Sequence, residues 1–437
     1  MNLRRKLFLC GLVVFLVGIT FSLSSAQLAA TPSSITPKGV AINFAQREMQ
    51  ASPQIRGVLQ NLRQEIAARR LTFEVGYTAA LDFRIEQLAG LQVPANFSQL
   101  VPAQNAAARQ ILQTLQAPTP VCSPTAPNFD WRKAFGVTAI RDQGACGSCW
   151  AFATVGAFEG SWRIFNGQAI ESAEQDILDC NPWGYSCGGG WWAFPYLMNP
   201  GVATEASYPY THVKGACRSV ARPYHAIAWG YVGNDHNIPT VGALKQYLCA
   251  YGPLAVAVRV TPGFQAYTSG VFNEHAAGSV NHGVTLIGWD DAKQAWLIKN
   301  SWGTGWGETG GFGSERGYMW IGYGSNSIGY AAAWVRAQQA SINLSGKWRG
   351  NDNGNYFIRQ DGPEMWWLGM SADNGASWTN VFRGQVQGMG ISGQWADVPL
   401  GRINNKGTLQ LHIVNFNQMQ RTNQTGGFGG STWSRMQ

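Results

Sequence analysis

Tryptophan and cysteine are spread unevenly along the 437 residues, and their distribution divides the chain into zones that must fold differently. Residues 129–337 hold 13 of the 19 tryptophans, and every cysteine but the first lies between Cys122 and Cys249. Residues 27–120 contain neither type, whereas residues 338–437 contain no cysteine and many short alternating runs. Each zone has roughly the size of a domain of about 100–200 residues. We expect a helical segment, a central domain that carries the chemically reactive residues, and a strand-rich tail.

The first 26 residues have the pattern of a secretory signal. Basic residues from Arg4 to Lys6 precede an apolar run from Leu7 to about Leu23, and small residues follow. A run of about 17 residues is marginal for crossing a bilayer, which favours a cleaved signal over an uncleaved anchor. We therefore predict a secreted or periplasmic protein with its signal peptide at residues 1–26.

The charge distribution argues against a nucleic-acid partner. The formal net charge is +8, but residues 121–339 carry −1, and residues 1–26, 27–120 and 340–437 carry +3 each. No segment concentrates basic charge in the way that nucleic-acid binding requires. Charged residues make up 13% of the chain and apolar residues 45%, which excludes a disordered polyelectrolyte.

Loss of the signal would leave an odd number of cysteines, so one thiol stays unpaired in an oxidising compartment. The apolar spacing from Ala151 to Phe165 predicts a helix, with Ser148 as its N-cap and Cys149 in its first turn. A helix N-terminus stabilises a thiolate and lowers its pKa, which marks Cys149 as a candidate nucleophile. Cys146 and Cys149 lack a second pair at zinc-binding spacing, so neither a metal nor another cofactor is expected.

The segment Gln143-Gly-Ala-Cys-Gly-Ser-Cys149-Trp-Ala-Phe resembles the active-site signature of papain-family cysteine peptidases. Two further blocks follow in the family's order, Asn-His282-Gly before an apolar strand and Asn300-Ser-Trp-Gly after it. Cys149 and His282 are 133 residues apart, within the usual range of about 130–150. Over residues 129–337 the resemblance implies an α+β fold, a papain-like two-lobe peptidase with a helical left lobe and a β-barrel-like right lobe.

The resemblance also implies a role for each residue of the site. Cys149 would be the nucleophile, His282 its acid/base partner and Asn300 the residue that orients the imidazole. The amide of Gln143 would face the oxyanion, and Trp302 would shield the His–Asn contact from water. The implied function is peptide-bond hydrolysis on protein or peptide substrates. The alternatives are a catalytically vestigial binding protein and a peptide ligase or transpeptidase on the same dyad.

In the family an extended peptide lies across a Gly-Gly pair, here Gly189 and Gly190. The implied pocket for the second residue before the scissile bond is apolar and includes Trp191, Trp192, Ala257, Val280 and Gly283. We expect it to accept a hydrophobic or aromatic side chain, although each tryptophan is equally compatible with ordinary core packing.

The family's cysteine pattern implies the disulfides Cys146–Cys187 and Cys180–Cys217. Cys122 and Cys249 remain, and we expect them to pair, with a buried free thiol at Cys249 in a helix from Val241 to Ala250 as the alternative. Two features depart from the family. Asn281 stands where an aspartate often precedes the histidine, and residues 309–316 form an insertion that is either a loop over the cleft or a surface decoration.

The segment before the peptidase domain resembles papain-type propeptides in the block from Phe73 to Glu86. This resemblance implies a helical lobe that packs on the enzyme, runs backwards through its cleft and inhibits it; an unrelated helical folding aid is the alternative. Apolar spacing predicts helices around residues 55–66 and 111–115. The Pro-rich segment 116–128 is the expected maturation site. The predicted domains are a propeptide at 27–121, a peptidase at 122–337 and an all-β domain at 338–437.

The tail reads as six to eight short strands, which predicts a small all-β barrel or sandwich. The strands that the alternation predicts are residues 355–360, 364–370, 380–386, 390–398 and 408–414. Asp-Asn-Gly turns precede two of them, at 352–354 and 373–375. The six tryptophans of the tail are expected mostly in its core, and a carbohydrate or surface ligand is the functional alternative.

Overall fold

The structure is a computed structural model. It describes residues 43–113, 115, 120–134, 136–338, 343–387, 390–398, 400–415 and 417–436. The signal peptide predicted at residues 1–26 lies outside the described residues, as does part of the Pro-rich junction. Within the described residues no helix combines the length and the apolar character that crossing a bilayer requires.

Most helices of the described residues precede or surround the central sheet. They are α1 (Phe44–Met49), α2 (Pro53–Arg69), α3 (Ile85–Leu88), α4 (Phe97–Leu112), α5 (Cys149–Asn166), α6 (Glu174–Cys180), α7 (Phe194–Met198), α8 (Val241–Tyr251) and α9 (Pro262–Gln265). The helix predicted around residues 55–66 is confirmed in α2, where the Ser52 hydroxyl accepts a hydrogen bond from the Ile55 N–H as an N-cap. The helix predicted at 111–115 is wrong at its end, because α4 stops at Leu112.

The strands of residues 43–338 form a mixed sheet. They are β1 (Thr72–Val75), β2 (Asn128–Asp130), β3 (Ala226–Tyr231), β4 (Leu254–Val258), β5 (Tyr267–Phe272), β6 (His282–Asp290), β7 (Ala295–Lys299), β8 (Tyr318–Gly322) and β9 (Tyr330–Ala337). The order is β1-β5-β8-β7-β6-β4-β9-β3, and β2 pairs with β6. Helix α5 is buried along most of its length and packs against β4, β6 and β9. This packing brings the first turn of α5 to the start of β6.

A strand of the N-terminal segment (residues 43–113) extends this sheet. Thr72–Val75 pairs antiparallel with β5, and the Phe73 ring lies 4.6 Å from that of Phe272. Phe73 and Val75 face the core while Thr72 and Glu74 face solvent. The N-terminal segment is therefore joined to the central domain by backbone hydrogen bonds and shared core.

Three disulfides cross-link the central domain. They are Cys122–Cys249, Cys146–Cys187 and Cys180–Cys217, as predicted. Cys249 lies in α8 as expected, and its disulfide with Cys122 excludes the alternative of a free buried thiol there. Among the described cysteines, only the buried Cys149 is unpaired.

The tail forms a closed antiparallel barrel, which decides between the barrel and the sandwich. Its strands within the described residues are β10 (Gly346–Gly350), β11 (Asn355–Asp361), β12 (Glu364–Met370), β13 (Thr379–Gln387), β14 (Gly390–Asp397), β15 (Lys406–Asn415), β16 (Gln418–Gln424) and β17 (Thr432–Arg435). The predicted strands agree with β11 to β15 to within two residues at each end. Asn353 and Asn374 adopt positive φ angles of 60°, as the two Asp-Asn-Gly turns require.

The barrel interior is aromatic. Trp348, Trp367, Trp395 and Trp433 are buried in one cluster, which confirms the expected core role for most of the tail's tryptophans. Trp366 is different, because it faces outward with 42% of its surface exposed.

Candidate active site

Cys149 is the first residue of α5, directly after Ser148 in the N-cap position. The Ser148 side chain does not cap the helix as the sequence suggested. Its Oγ lies 2.6 Å from the hydroxyl of Tyr210, which draws it away from the free N–H groups of the first turn. The helix start is instead closed by the Ala151 N–H, which donates to the Ser148 carbonyl.

His282 and Asn300 meet because of the sheet. His282 begins β6, Asn300 follows the last residue of β7, and these two strands pair antiparallel. His282 Nε2 lies 2.8 Å from Asn300 Oδ1, and both side chains are buried. His282 Nδ1 is buried without a side-chain partner, and the Leu88 backbone lies near enough to favour the protonated ring. The Asn300 contact thus fixes the ring and leaves the second nitrogen available for proton transfer.

An indole shields this pair from water. Trp302 is 3% exposed, and its ring centroid lies 4.8 Å from that of His282. Phe264 packs edge-on against Trp302 at 5.6 Å. Exclusion of water strengthens the His282–Asn300 hydrogen bond.

Gln143 points its amide into the cleft. Its Nε2 donates to the carbonyls of Cys146 and Leu88 at 2.7 and 2.9 Å, while its Oε1 accepts from the Ser301 hydroxyl at 2.7 Å. Ser301 therefore fixes which end of the amide faces the cleft. Ser301 was not predicted as a site residue, although it lies between Asn300 and Trp302 in the Asn300-Ser-Trp-Gly motif.

Residues 88–92 of the N-terminal segment occupy the cleft. The Gly190 N–H donates to the Gly90 carbonyl and the Gln92 N–H to the Gly190 carbonyl, both at 2.9 Å. The Leu91 N–H donates to the Asn281 carbonyl, and Leu91 pairs with Gly190 as a parallel bridge. A β-carbon on Gly90 would lie 1.9 Å from the Gly147 carbonyl oxygen, so only glycine allows this approach.

Residues 125–333 match the model of the papain family of cysteine proteases. This part of the chain forms a papain-like domain. It is 40% identical over 202 residues to digestive cysteine proteinase 3 of Homarus americanus, covering 44% of this chain and 62% of that one. It is 42% identical over 190 residues to a cathepsin L-like proteinase of Fasciola hepatica, covering 42% and 58%.

The chain thus spans about three fifths of the length of these relatives. Among solved structures it is similar to a recombinant stem bromelain precursor, with a TM-score of 0.51 and 27% identity over 67% of this chain and 91% of that one. It is also similar to procathepsin L2 of Tenebrio molitor larval midgut, with a TM-score of 0.53 and 25% identity over 68% and 95%. The papain-like fold expected from the sequence is confirmed.

The apolar side chains proposed for the papain-like specificity pocket belong to one large buried cluster. Leu91 belongs to the same buried cluster as Trp191, Trp192, Ala257 and Val280. Gly283 leaves room for one of the two indoles, because a β-carbon there would lie 3.0 Å from Trp192 Cζ3.

The second indole is held by other contacts. The indole N–H of Trp191 donates to the Tyr231 hydroxyl at 3.0 Å. The ring of Trp191 packs edge-on against Phe97 of α4 at 5.3 Å. Trp191 thus contacts the N-terminal segment as well as the peptidase core.

Burial controls the charge state of the covered cleft. It raises the pKa of the Cys149 thiol to about 11, although nearby backbone N–H groups act in the opposite direction. Burial also lowers the pKa of His282 to about 4, against the contribution of Asn300. The lowered thiol pKa expected at the helix N-terminus is therefore wrong for this state, because desolvation outweighs the helix. Between these two pKa values both groups are neutral.

Four ionisable side chains, three of them buried, lie beside the cleft and were not predicted from the sequence. Arg141, Glu159, Glu174 and Lys299 line a small internal cavity next to Asn300. Burial, reinforced by the neighbouring Glu159, raises the pKa of Glu174 to about 8. Glu159 in the otherwise apolar run of α5 was the available signal, since a buried carboxylate requires partners.

The insertion at residues 309–316 contacts the N-terminal segment. Arg132 donates to the carbonyls of Thr309 and Gly310 and so holds one end against the peptidase domain. At the other end the Arg316 guanidinium lies 4.6 Å from the centre of the Phe44 ring of α1.

Proposed function

We propose that this protein is a secreted or periplasmic cysteine endopeptidase, made as an inhibited proenzyme, that hydrolyses peptide bonds of proteins with a Cys-His-Asn mechanism. The observation that carries the proposal is the 2.8 Å contact between His282 Nε2 and Asn300 Oδ1 in the cleft beside Cys149. A buried imidazole oriented by an amide and a single free thiol at a helix start are the parts that thiol catalysis needs.

The proposed reaction begins when the cleft is uncovered. Water entry then favours transfer of the Cys149 proton to His282 Nδ1, which gives a thiolate and an imidazolium. The thiolate attacks the scissile carbonyl carbon, and the new oxyanion accepts hydrogen bonds from Gln143 Nε2 and from the backbone N–H of Cys149.

The imidazolium next protonates the leaving amine, and the C–N bond breaks to give an acyl-enzyme. Water then attacks the thioester carbonyl while His282 takes its proton. Collapse of this second tetrahedral intermediate releases the carboxylic acid and restores the thiol. Asn300 keeps the ring in position through both halves of the reaction.

We propose that the N-terminal segment is the enzyme's own inhibitory propeptide. Two observations support this role. The Leu88 carbonyl accepts a hydrogen bond from Gln143 Nε2, so it occupies the donor that would otherwise stabilise the oxyanion. The parallel bridge between Leu91 and Gly190 fits a chain that runs opposite to a substrate. The similar solved structures include a bromelain precursor and a procathepsin.

The proposed domains are a signal at 1–26, a propeptide at 27–121, a peptidase at 122–337 and a C-terminal domain at 338–437. The Val121 N–H donates to the Cys249 carbonyl next to the Cys122–Cys249 disulfide. Cleavage before Cys122 then leaves a mature N-terminus held by that bridge. N-terminal sequencing of the secreted form, with and without reductant, tests this: a fragment released only by reductant would place the cut after Cys122.

For the second residue before the scissile bond we propose a preference for apolar side chains. The support is that Trp192, Ala257 and Val280 are apolar and belong to the same buried cluster as Leu91. A peptide library that varies this position tests the preference, and equal cleavage of charged and apolar variants would contradict it.

A thiol-directed epoxide tests the function directly. After processing, it should label Cys149 and abolish hydrolysis of a fluorogenic peptide, while the Cys149→Ala variant shows neither. Processed, folded protein that is neither labelled nor active would favour a vestigial binding protein. Labelled protein that forms new peptide bonds faster than it hydrolyses them would favour a ligase.

A further inference from the structure

The outer face of the C-terminal barrel carries a continuous apolar row. Phe357, Leu368, Val381 and Ala396 are direct cross-strand neighbours on four adjacent strands, β11 to β14. The three large side chains are 41%, 38% and 40% exposed. Next to this row stands Trp366, also about two-fifths exposed. Exposed apolar side chains grouped in this way mark interaction sites on soluble domains.

A groove of about 790 Å³ runs over part of this face, from β12 to β15. Its lining includes the Trp366 indole, the aliphatic Val381 and four polar side chains, Arg383, Gln394, Lys406 and Thr408. All four polar side chains are exposed, and the Thr408 hydroxyl lies 3.0 Å from that of Thr425. We define Trp366, Val381, Gln394, Lys406 and Thr408 as the outer groove.

The cations around the outer groove exceed the carboxylates. Lys347 and Lys406 lie at the two ends of the apolar row, and Arg359 is the cross-strand neighbour of Trp366. None of these three cations forms an ion pair within the described residues. Arg383 is paired with Glu364, and its guanidinium lies 4.7 Å from the centre of the Trp366 ring. The groove therefore favours an anionic ligand with an apolar face.

Two other anionic partners fit these observations less well. An acidic peptide in extended conformation binds a sheet by adding a strand at an edge, and a closed barrel offers no edge. A nucleic acid carries a charge on every phosphate, and three unpaired cations spread over several strands neutralise few of them. A chain of sugars needs no backbone partners, and its hydroxyls match the amide and hydroxyl groups of Gln394 and Thr408.

We propose that the outer groove binds an acidic polysaccharide, a polymer of uronic-acid sugars. The C–H face of one sugar ring covers the Trp366 face that Arg383 leaves free. Sugar carboxylates pair with Lys406 and Arg359, and the hydroxyls bond to Gln394 and Thr408. This binding lies outside the peptidase cleft and gives the enzyme attachment to an acidic matrix.

Affinity electrophoresis of the full chain with Cys149→Ala tests the proposal, since that variant cannot digest itself. In native gels that contain polygalacturonate the protein should be retarded, and in gels with neutral dextran it should not. Trp366→Ala should weaken the retardation about tenfold, since one stacked ring is lost. Lys406→Gln should weaken it several-fold and reduce its dependence on salt. Arg349→Gln, which removes a cation from β10 outside the groove, is the matched control and should change it less than twofold.

Four outcomes would overturn the proposal. They are no retardation by polygalacturonate, equal retardation by dextran, stronger retention by single-stranded DNA, and equal losses in the Arg349 and Lys406 variants. The last result would mean that net charge alone drives retention. Because Trp366 is exposed and Lys406 lies on the surface, both variants should keep the wild-type far-ultraviolet circular dichroism, which confirms that the barrel is folded.

Discussion

The cleft of the peptidase domain and the outer groove of the barrel both combine tryptophan with polar groups, but they differ in exposure to water. In the cleft, Cys149 and His282 have no exposed surface, and residues 88–92 lie across it. In the outer groove, Trp366 and Lys406 are exposed. Because burial disfavours charged forms, Cys149 and His282 stay neutral in the cleft, whereas the side chains of the outer groove remain in contact with water. We therefore expect activity in the cleft to require removal of residues 88–92, and binding in the outer groove to need no such step.

The largest effect should separate two adjacent tryptophans of the barrel. Trp367 is 3% exposed, stacks on Phe382 at 4.5 Å and donates to Asn380 Oδ1. Trp367→Ala should lower the free energy of unfolding of the barrel by about 3–5 kcal/mol, because a large cavity is created. Trp366→Ala should cost about 1 kcal/mol or less. Chemical denaturation of the full chain measures both, and equal losses would contradict the inward and outward placement.

In the cleft, Gln143→Ala should lower kcat/KM of the processed enzyme about 10²–10³-fold, because one oxyanion donor is lost. The matched control is Gln410→Ala, an exposed glutamine on β15 that lies outside the outer groove, and its kcat/KM should stay within about twofold. Steady-state hydrolysis of a fluorogenic peptide gives both values. If Gln143→Ala raised only KM, the amide would act in substrate binding and not at the oxyanion.

The contact of residues 88–92 with the cleft can be weakened at Gly90. Gly90→Ala places a β-carbon against the Gly147 carbonyl, so the proenzyme should show about ten- to hundredfold more peptide hydrolysis before processing. The control is Gly57→Ala in α2, where a β-carbon meets nothing within 4 Å. Assays of the unprocessed chain compare the two. If both unprocessed variants hydrolyse the peptide equally slowly, the close contact of residue 90 with Gly147 does not maintain inhibition.

Much of the fold followed from local patterns in the sequence. The barrel strands were predictable because apolar and polar residues alternate along them, and α2 because Ser52 and Pro53 form a typical helix start. The parts of the fold that local patterns do not predict depend on residues that are distant in the chain. Thr72–Val75 is a strand only because β5 lies beside it, and Leu88–Gln92 has no periodicity to mark it.

The candidate site was predictable in its residues but not in its charge state. The blocks around Cys149, His282 and Asn300 identified the groups that the structure brings together. The raised pKa of Cys149 arises from cover by other parts of the chain, which no local pattern reveals. The Ser148 side chain was misassigned for a similar reason, because its partner, Tyr210, lies 62 residues away.

The smallest effect should come from a charge beside the histidine. Asn281 Oδ1 accepts a hydrogen bond from the Val260 N–H. The Asn281→Asp variant places a carboxylate one residue from His282. The negative charge favours the imidazolium and raises the pKa of His282, so the alkaline limb of activity should move up by about 0.5–1 pH unit. Gln385→Glu on the barrel surface, the matched control, should not move it. If the pH dependence of kcat/KM is unchanged in Asn281→Asp, a charge at residue 281 does not affect the pKa of His282.

The most direct test of the whole account is the pH dependence of Cys149 alkylation by iodoacetamide, before and after removal of the N-terminal segment. With residues 88–92 in place, the pKa of about 11 leaves about one thiol in ten thousand ionised at pH 7, so alkylation should be very slow and rise steadily towards pH 11. After processing, water reaches the thiol and His282 accepts its proton, so rapid alkylation should already occur at neutral pH. Identical pH profiles in the two forms would contradict the claim that cover by the N-terminal segment keeps the catalytic pair neutral.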